Sequence, residues 1–274
     1  MEPIDTFLKK INKDLDFKIP VNALISFFNP DTGKLLCKLV ANLIRSETFQ
    51  STLTVLHFID ENMATEIGDL EYYKNTFYDD IVELYEAKQL LIRIFVKISA
   101  DYVDDILEMG EKYPCNLLLI GVEHETFPGF WEENYPRLKN SVANIPTTAI
   151  FVNNGFQRLN RIFVPILDKT DVYVFLFINR LIVQEKVSVM IWDAIGIIES
   201  EPKMKKLYQY FYKKAEGKLE LWNNEKKIGI DYIAEQDLVL MGIEGWEKLQ
   251  SSAVSWAHSL PSALIVKPAT NEGK

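Results

Sequence analysis

At 274 residues the chain has room for one large domain or two ordinary ones. Its hydrophobic fraction of 48% is enough for a sizeable core. A net charge of -9 leaves no basic stripe to neutralise a phosphate backbone, which excludes nucleic acid as a partner.

Residues 1–20 stand apart. Ile4, Phe7, Leu8, Ile11 and Leu15 recur at helical spacing with Lys9, Lys10 and Lys13 between them, the pattern of a short amphipathic helix. Two readings are open: a helix docked on the domain that follows, or a basic segment lying at a membrane surface. The first strand is Ala23 to Phe28. Asn29-Pro30 then suits a helix start, with Asn29 as cap and Pro30 in the first turn. A β-branched and aromatic strand covers Thr52 to Ile59. A helix over 71–90 would turn Tyr73, Phe77, Ile81 and Leu84 inward. Leu91 to Ile98 is the third strand, and Ser99 is a candidate cap for the helix after it. Next come the strand Asn116 to Gly121, a loop-rich segment holding Pro128 and Pro136, and the strand Thr147 to Val152.

Asn153-Asn154-Gly155 reads as a linker, after which a similar series begins again. Strands are expected at Arg161 to Ile166, Val187 to Trp192 and Leu219 to Trp222. Helices are expected at Thr170 to Val183 and Pro202 to Lys214. The run Val172 to Val183 is too short to span a bilayer and reads as a buried helix, so the chain as given is expected to be soluble. Residues 223–236 are too short and polar for a full helix, which makes the second series a trimmed copy.

The stretch from Asp237 closes the chain. Leu238 to Met241 is apolar on both faces, as in a buried parallel strand. It runs into Gly242 and Gly245, then a helix-period segment to Ser259, then the strand Ala263 to Val266. Glycines at a strand's carboxyl end feeding a helix can present backbone N–H groups to an anion. They can equally be a plain corner of an α/β fold. Strands alternating with helices imply parallel sheets with right-handed crossovers. The domain expectation is a linker helix at 1–20, α/β units at 21–153 and 159–268, and a tail at 269–274.

These two units resemble the universal stress protein family in tandem. The resemblance rests on Val164-Pro165-Ile166, on Asp168 one residue later than the family places it, and on Gly242 and Gly245. It implies two doubly wound parallel five-stranded sheets, also described as adenine nucleotide alpha hydrolase-like. The chain departs from the pattern at Ser255-Trp256, where the family has a glycine followed by serine or threonine, and at His124, which replaces the second glycine of the first unit. No cofactor is expected from the residues themselves; the resemblance allows an adenine nucleotide such as ATP in the second unit only. Gly242 and Gly245 would meet the phosphates, Ser251, Ser252 and Ser255 would add hydroxyls, and Asp168 would reach adenine or ribose.

The run ALISFFNPDTGKLLCKLVANLI, with its Asn29-Pro30-Asp31-Thr32 turn, is similar to the cytoplasmic C-terminal region of bacterial sodium/proton exchangers of the monovalent cation:proton antiporter-2 class. That implies a membrane antiporter domain in cis upstream and a place at the inner face of the plasma membrane. It implies a non-enzymatic regulatory module and allows a homodimer. The alternative is a free-standing tandem stress protein that binds an adenine nucleotide.

No catalytic or metal-binding constellation is expected from the residues. His57, His124 and His258 match no metal spacing, and His57 reads as a satisfied core residue. Cys37 and Cys115 read as buried thiols of a reducing compartment. Glu123, Glu125, Glu132 and Glu133 read as a solvated acidic loop, and Lys203, Lys205, Lys206, Lys213 and Lys214 as a basic helix face open to anionic lipid or an acidic partner.

Overall fold

The computed structural model describes residues 5, 8, 9, 11, 12, 20–46, 50–141, 147–182, 187–252, 256 and 259–269, the side chains of 139–141 excepted. The chain divides into two α/β units.

The first unit comprises the described residues of Ile19–Asn153 and Pro268–Lys274. Its elements are β1 (Asn22–Phe27), α1 (Pro30–Leu43), β2 (Thr52–Ile59), α2 (Glu61–Ile67), α3 (Leu70–Phe77), α4 (Asp79–Ala87) and β3 (Leu91–Ile98). There follow α5 (Tyr102–Lys112), β4 (Leu117–Glu123), α6 (Phe127–Gly129), a π-helical stretch (Phe130–Asn134), α7 (Tyr135–Ser141) and β5 (Thr147–Asn153). The strands run parallel in the order β3-β2-β1-β4-β5. The run from Leu53 to Ile59 in β2 is wholly buried, as expected of a central strand covered on both faces.

The expected α1 start holds: the Asn29 side chain accepts from Asp31 N at 2.9 Å and Thr32 N at 3.3 Å, with Pro30 in the first turn. Three expectations change. The helix over 71–90 is two helices that meet at Tyr78, whose buried hydroxyl bonds His57 Nδ1 at 3.0 Å. Asp101, not Ser99, caps α5; Ser99 Oγ instead donates to Asp105 Oδ2 at 2.5 Å. The loop-rich segment is helical from Phe127 to Ser141. Pro128 lies in its first turn, where its missing N–H has no helical partner to lose.

The second unit comprises the described residues of Met1–Lys18 and Asn154–Lys267. Its elements are β6 (Arg161–Ile166), a 3-10 turn (Lys169–Val174), α8 (Phe175–Ile182), β7 (Ser188–Asp193), α9 (Ile197–Ser200) and α10 (Pro202–Lys214). They continue with β8 (Leu219–Asn223), α11 (Ile230–Ala234), β9 (Leu238–Gly242), α12 (Ile243–Gln250) and β10 (Ser262–Lys267). The strands are again parallel, in the order β10-β9-β6-β7-β8. Leu8 and Ile11 of the N-terminal segment are buried, and Asp5 pairs with Lys203 at 2.5 Å, so this segment belongs with the second unit. The expected buried helix is present: α8 and the 3-10 turn before it carry Val172, Val174, Phe175 and Ile178 at 0% exposure. Among the described residues no helix is long and apolar enough to cross a membrane.

Candidate functional site

In a doubly wound sheet ligands gather at the carboxyl ends of the strands where the strand order reverses. Here those points lie between β1 and β4 in the first unit and between β6 and β9 in the second. The two are built in opposite ways.

In the second unit the reversal point is filled from within. Asp168 opens the 3-10 turn with a capping box shared with Asp171. That turn drives Asp171 into the core at 0% exposure. Its Oδ2 accepts from Leu167 N and Asp168 N, both at 2.8 Å, and its Oδ1 accepts from Gly245 N at 3.1 Å. A Cβ at Gly242 would stand 2.2 Å from Asp171 Oδ1, and one at Gly245 would stand 2.4 Å from Oδ2. Both glycines are therefore required by close approach of a carboxylate. The turn does hold an anion, and the anion is the chain's own side chain. Burial pushes the Asp171 carboxyl up to about 6, against the hydrogen bonds from Asp168, Leu167 and Gly245, which pull it down.

The other residues expected at this turn are dispersed. Burial raises the Asp168 carboxyl, but bonds from Lys248 and Thr170 outweigh it and hold it at about 2. Its Oδ2 meets Lys248 Nζ at 2.6 Å and its Oδ1 accepts from Thr170 N at 2.9 Å. Ser251 and Ser252 follow α12, six residues or more from Gly245. At 1.5 Å per residue that is about 9 Å along the axis. Their hydroxyls donate to the helix's last carbonyls, Lys248 O at 3.0 Å and Leu249 O at 2.7 Å. Ser255 and His258 lie outside the described residues.

In the first unit the reversal point is open. A cavity of about 350 Å³ lies over the ends of β1 and β4. Phe28, Phe58, Tyr102 and Phe130 line it, and none of its lining residues is basic. Three of these rings form a corner: Phe28 stands edge-on to Tyr102 at 5.2 Å and tilted to Phe58 at 5.3 Å, and Phe58 meets Tyr102 at 6.0 Å. Phe130 and Asn134 reach the cavity from the π-helical stretch, a distortion often found at functional sites. Ser26, 1% exposed, also lines it, and its Oγ has no hydrogen-bond partner among the described residues. Glu123 supplies a carboxylate; Thr32 Oγ1 donates to its Oε1 at 2.5 Å and Asn153 Nδ2 to its Oε2 at 3.0 Å.

His57 lies beneath, fully buried, with Nε2 3.2 Å from Phe28 O and Nδ1 3.0 Å from the Tyr78 hydroxyl. A carbonyl can only accept, so Nε2 carries the proton and Nδ1 accepts from Tyr78. Burial holds its pKa down at about 4. This is the satisfied core histidine that its apolar neighbours imply. Cys37 is fully buried and Cys115 half-buried, and burial pushes both thiols up, Cys115 to about 11, so neither is poised as a thiolate.

No protein-family model matches the chain, and no curated protein matches it. Solved structures do. The cytoplasmic domain of a prokaryotic cation chloride cotransporter superposes with a TM-score of 0.56 at 11% identity, over 93% of this chain and 98% of that one. A putative universal stress protein from Pseudomonas aeruginosa gives a TM-score of 0.47 at 12% identity, over 91% and 94% of the two chains. A protein of unknown function from the same organism gives 0.45 at 11% identity, over 91% and 93%. At such identities the first likeness is one of fold, and it joins the strand orders above: the chain has the doubly wound, parallel α/β fold expected of its sequence.

Asp171, Ser26 and the aromatic corner escape a reading of the sequence alone. Asp171 left one trace, since Asp168-Lys169-Thr170-Asp171 has the three-residue spacing of a capping box. The corner joins residues from three separate elements and leaves no local pattern.

Proposed function

We propose that the chain is a non-enzymatic regulatory module at the cytoplasmic face of a membrane transporter, in particular of a cation/proton antiporter. The observation that carries this reading is the shared fold with a transporter's cytoplasmic domain, which spans nearly the whole of both chains. The sequence likeness at Asn29 to Thr32 narrows the transporter to an antiporter. The self-filled turn supports the same reading. A phosphate bound at Gly242 and Gly245 would have to displace Asp171 from three backbone donors. The rival reading, a free stress protein holding ATP in the second unit, carries that cost.

The test has two steps. The reading frame upstream of Met1 is read for in-frame apolar spans. The resulting transporter is then assayed in everted vesicles with and without residues 1–274. The expected result is retained exchange with a shifted pH or cation dependence on deletion. Identical profiles would sink the regulatory role. Micromolar binding of ATP, lost on Gly245→Glu, would support the rival.

A further inference from the structure

We propose that the open crevice of the first unit is a receptor site for a small organic ammonium ion with an apolar body. This stands whether or not the chain belongs to a transporter.

Three independent features of the crevice point to that chemistry. The first is its size: about 350 Å³ falls at the lower end of small-molecule sites. The second is its walls. Phe28 and Tyr102 stand nearly perpendicular, with the buried Phe58 packed behind both, and aromatic rings at such a mouth can take a cation against their electron-rich faces. Phe28 is 49% exposed despite its size, as a ring waiting at a site mouth would be. The third is its polar content. Glu123 contributes negative charge, and no lysine, arginine or histidine lines the cavity to balance it. A phosphate or carboxylate ligand would meet repulsion there, whereas an ammonium ion meets both the carboxylate and the rings.

Ser26 decides what else the ligand carries. A hydroxyl buried in an apolar wall normally finds a partner, because leaving it unpaired costs about 1–3 kcal/mol. Ser26 Oγ has none among the described residues. It sits at the end of β1 on the cavity wall, so a bound molecule with a hydroxyl or N–H group would satisfy it. An amino alcohol or its quaternary form has both required parts.

The experiment is calorimetry on the full chain with four probes: choline, tetramethylammonium, the neutral choline isostere 3,3-dimethylbutan-1-ol, and ATP. Choline is expected to bind with the lowest Kd, the neutral isostere at least about tenfold more weakly, since a desolvated cation–ring contact contributes about 2 kcal/mol. ATP should give no heat attributable to this site. Tyr102→Leu keeps bulk but removes a ring and should weaken choline by about tenfold. Ser26→Ala should weaken choline by about fivefold and leave tetramethylammonium, which has no hydroxyl, unchanged. Circular dichroism confirms that each variant is folded, and Ser26→Ala keeps the test open should Tyr102→Leu not fold. Equal affinity for choline and its neutral isostere, absence of choline binding at millimolar concentration, or matching responses to potassium chloride would each overturn the proposal.

Discussion

Asp171 is the residue on which the second unit's reversal point turns. Three backbone N–H groups converge on its carboxylate. Asp171→Ala should therefore leave buried donors unpaired, at about 1–3 kcal/mol for each that water cannot reach. We expect a total loss of about 3 kcal/mol in urea unfolding, large for one substitution. The carboxyl's native value of about 6 lies above its unfolded value near 3.8. The native state then binds more protons in the window between them. Its contribution to stability is full below about pH 4 and is lost as pH rises through 6. Lowering pH from 7 to 5 should stabilise the second unit by about 1 kcal/mol through this group. Asp171→Asn removes that gain, and it turns one amide N–H₂ toward donors that need an acceptor. If the variant kept the same pH slope as the parent, another group would have to be its source.

At the scale of elements, close packing at α1 overrides helix propensity. Gly33 lies in the first turns of α1, where alanine would ordinarily favour the helix by about 1 kcal/mol. A Cβ there would stand 2.0 Å from the Phe27 ring, which is itself 1% exposed and unable to swing away. Gly33→Ala should destabilise the first unit by about 1–3 kcal/mol, the usual cost of overpacking. Asn29→Ala, which removes the cap at the same helix end, should cost about 1 kcal/mol. Chemical denaturation of both variants checks the order, and a stabilised Gly33→Ala would show that Phe27 yields. The same contrast marks what the sequence could tell. The strands were legible because Thr52 to Ile59 is rich in β-branched and aromatic residues and Leu238 to Met241 is a continuous apolar run. The Asn29-Pro30 cap was legible because capping is local. The break at Tyr78 was not, since no glycine or proline marks it and the partner that fixes the Tyr78 side chain, His57, lies 21 residues away. The helix through Pro128 and Pro136 was hidden because proline reads as a breaker unless its place in the turn is known. At the candidate site Gly242 and Gly245 were visible as an anion-holding turn, but the spacing does not say whether the anion is a ligand or Asp171.

For the whole molecule two buried titrating groups oppose each other, His57 in the first unit and Asp171 in the second, where burial shifts Asp193 in the same direction as Asp171. His57, in the first unit, has a native value of about 4 against 6.5 when unfolded, because burial disfavours its charged form. Here the unfolded state binds more protons between those values. The stability that His57 allows is present above 6.5 and is lost as pH falls toward 4. From pH 7 to 5 the loss is about 2 kcal/mol, opposite in sign to the gain of about 1 kcal/mol from Asp171. Mild acid should thus loosen one unit while tightening the other. A single melting curve would mix the two responses, so the readout has to be local. Amide exchange followed by mass spectrometry, corrected for the intrinsic effect of pH, should show β2 losing protection at pH 5 while β9 and α12 gain it. His57→Phe should abolish the first change and leave the second, since Phe removes the titrating ring, although it lowers the unit's stability at every pH by leaving the Tyr78 hydroxyl and the Phe28 carbonyl without their partner. Asp171→Asn should do the reverse. Parallel changes in both units, or a first-unit change that survives His57→Phe, would mean that surface charge and not these buried groups governs the response. For a module proposed to act on a cation/proton antiporter, such opposed acid responses would convert a pH change into a difference between the two units.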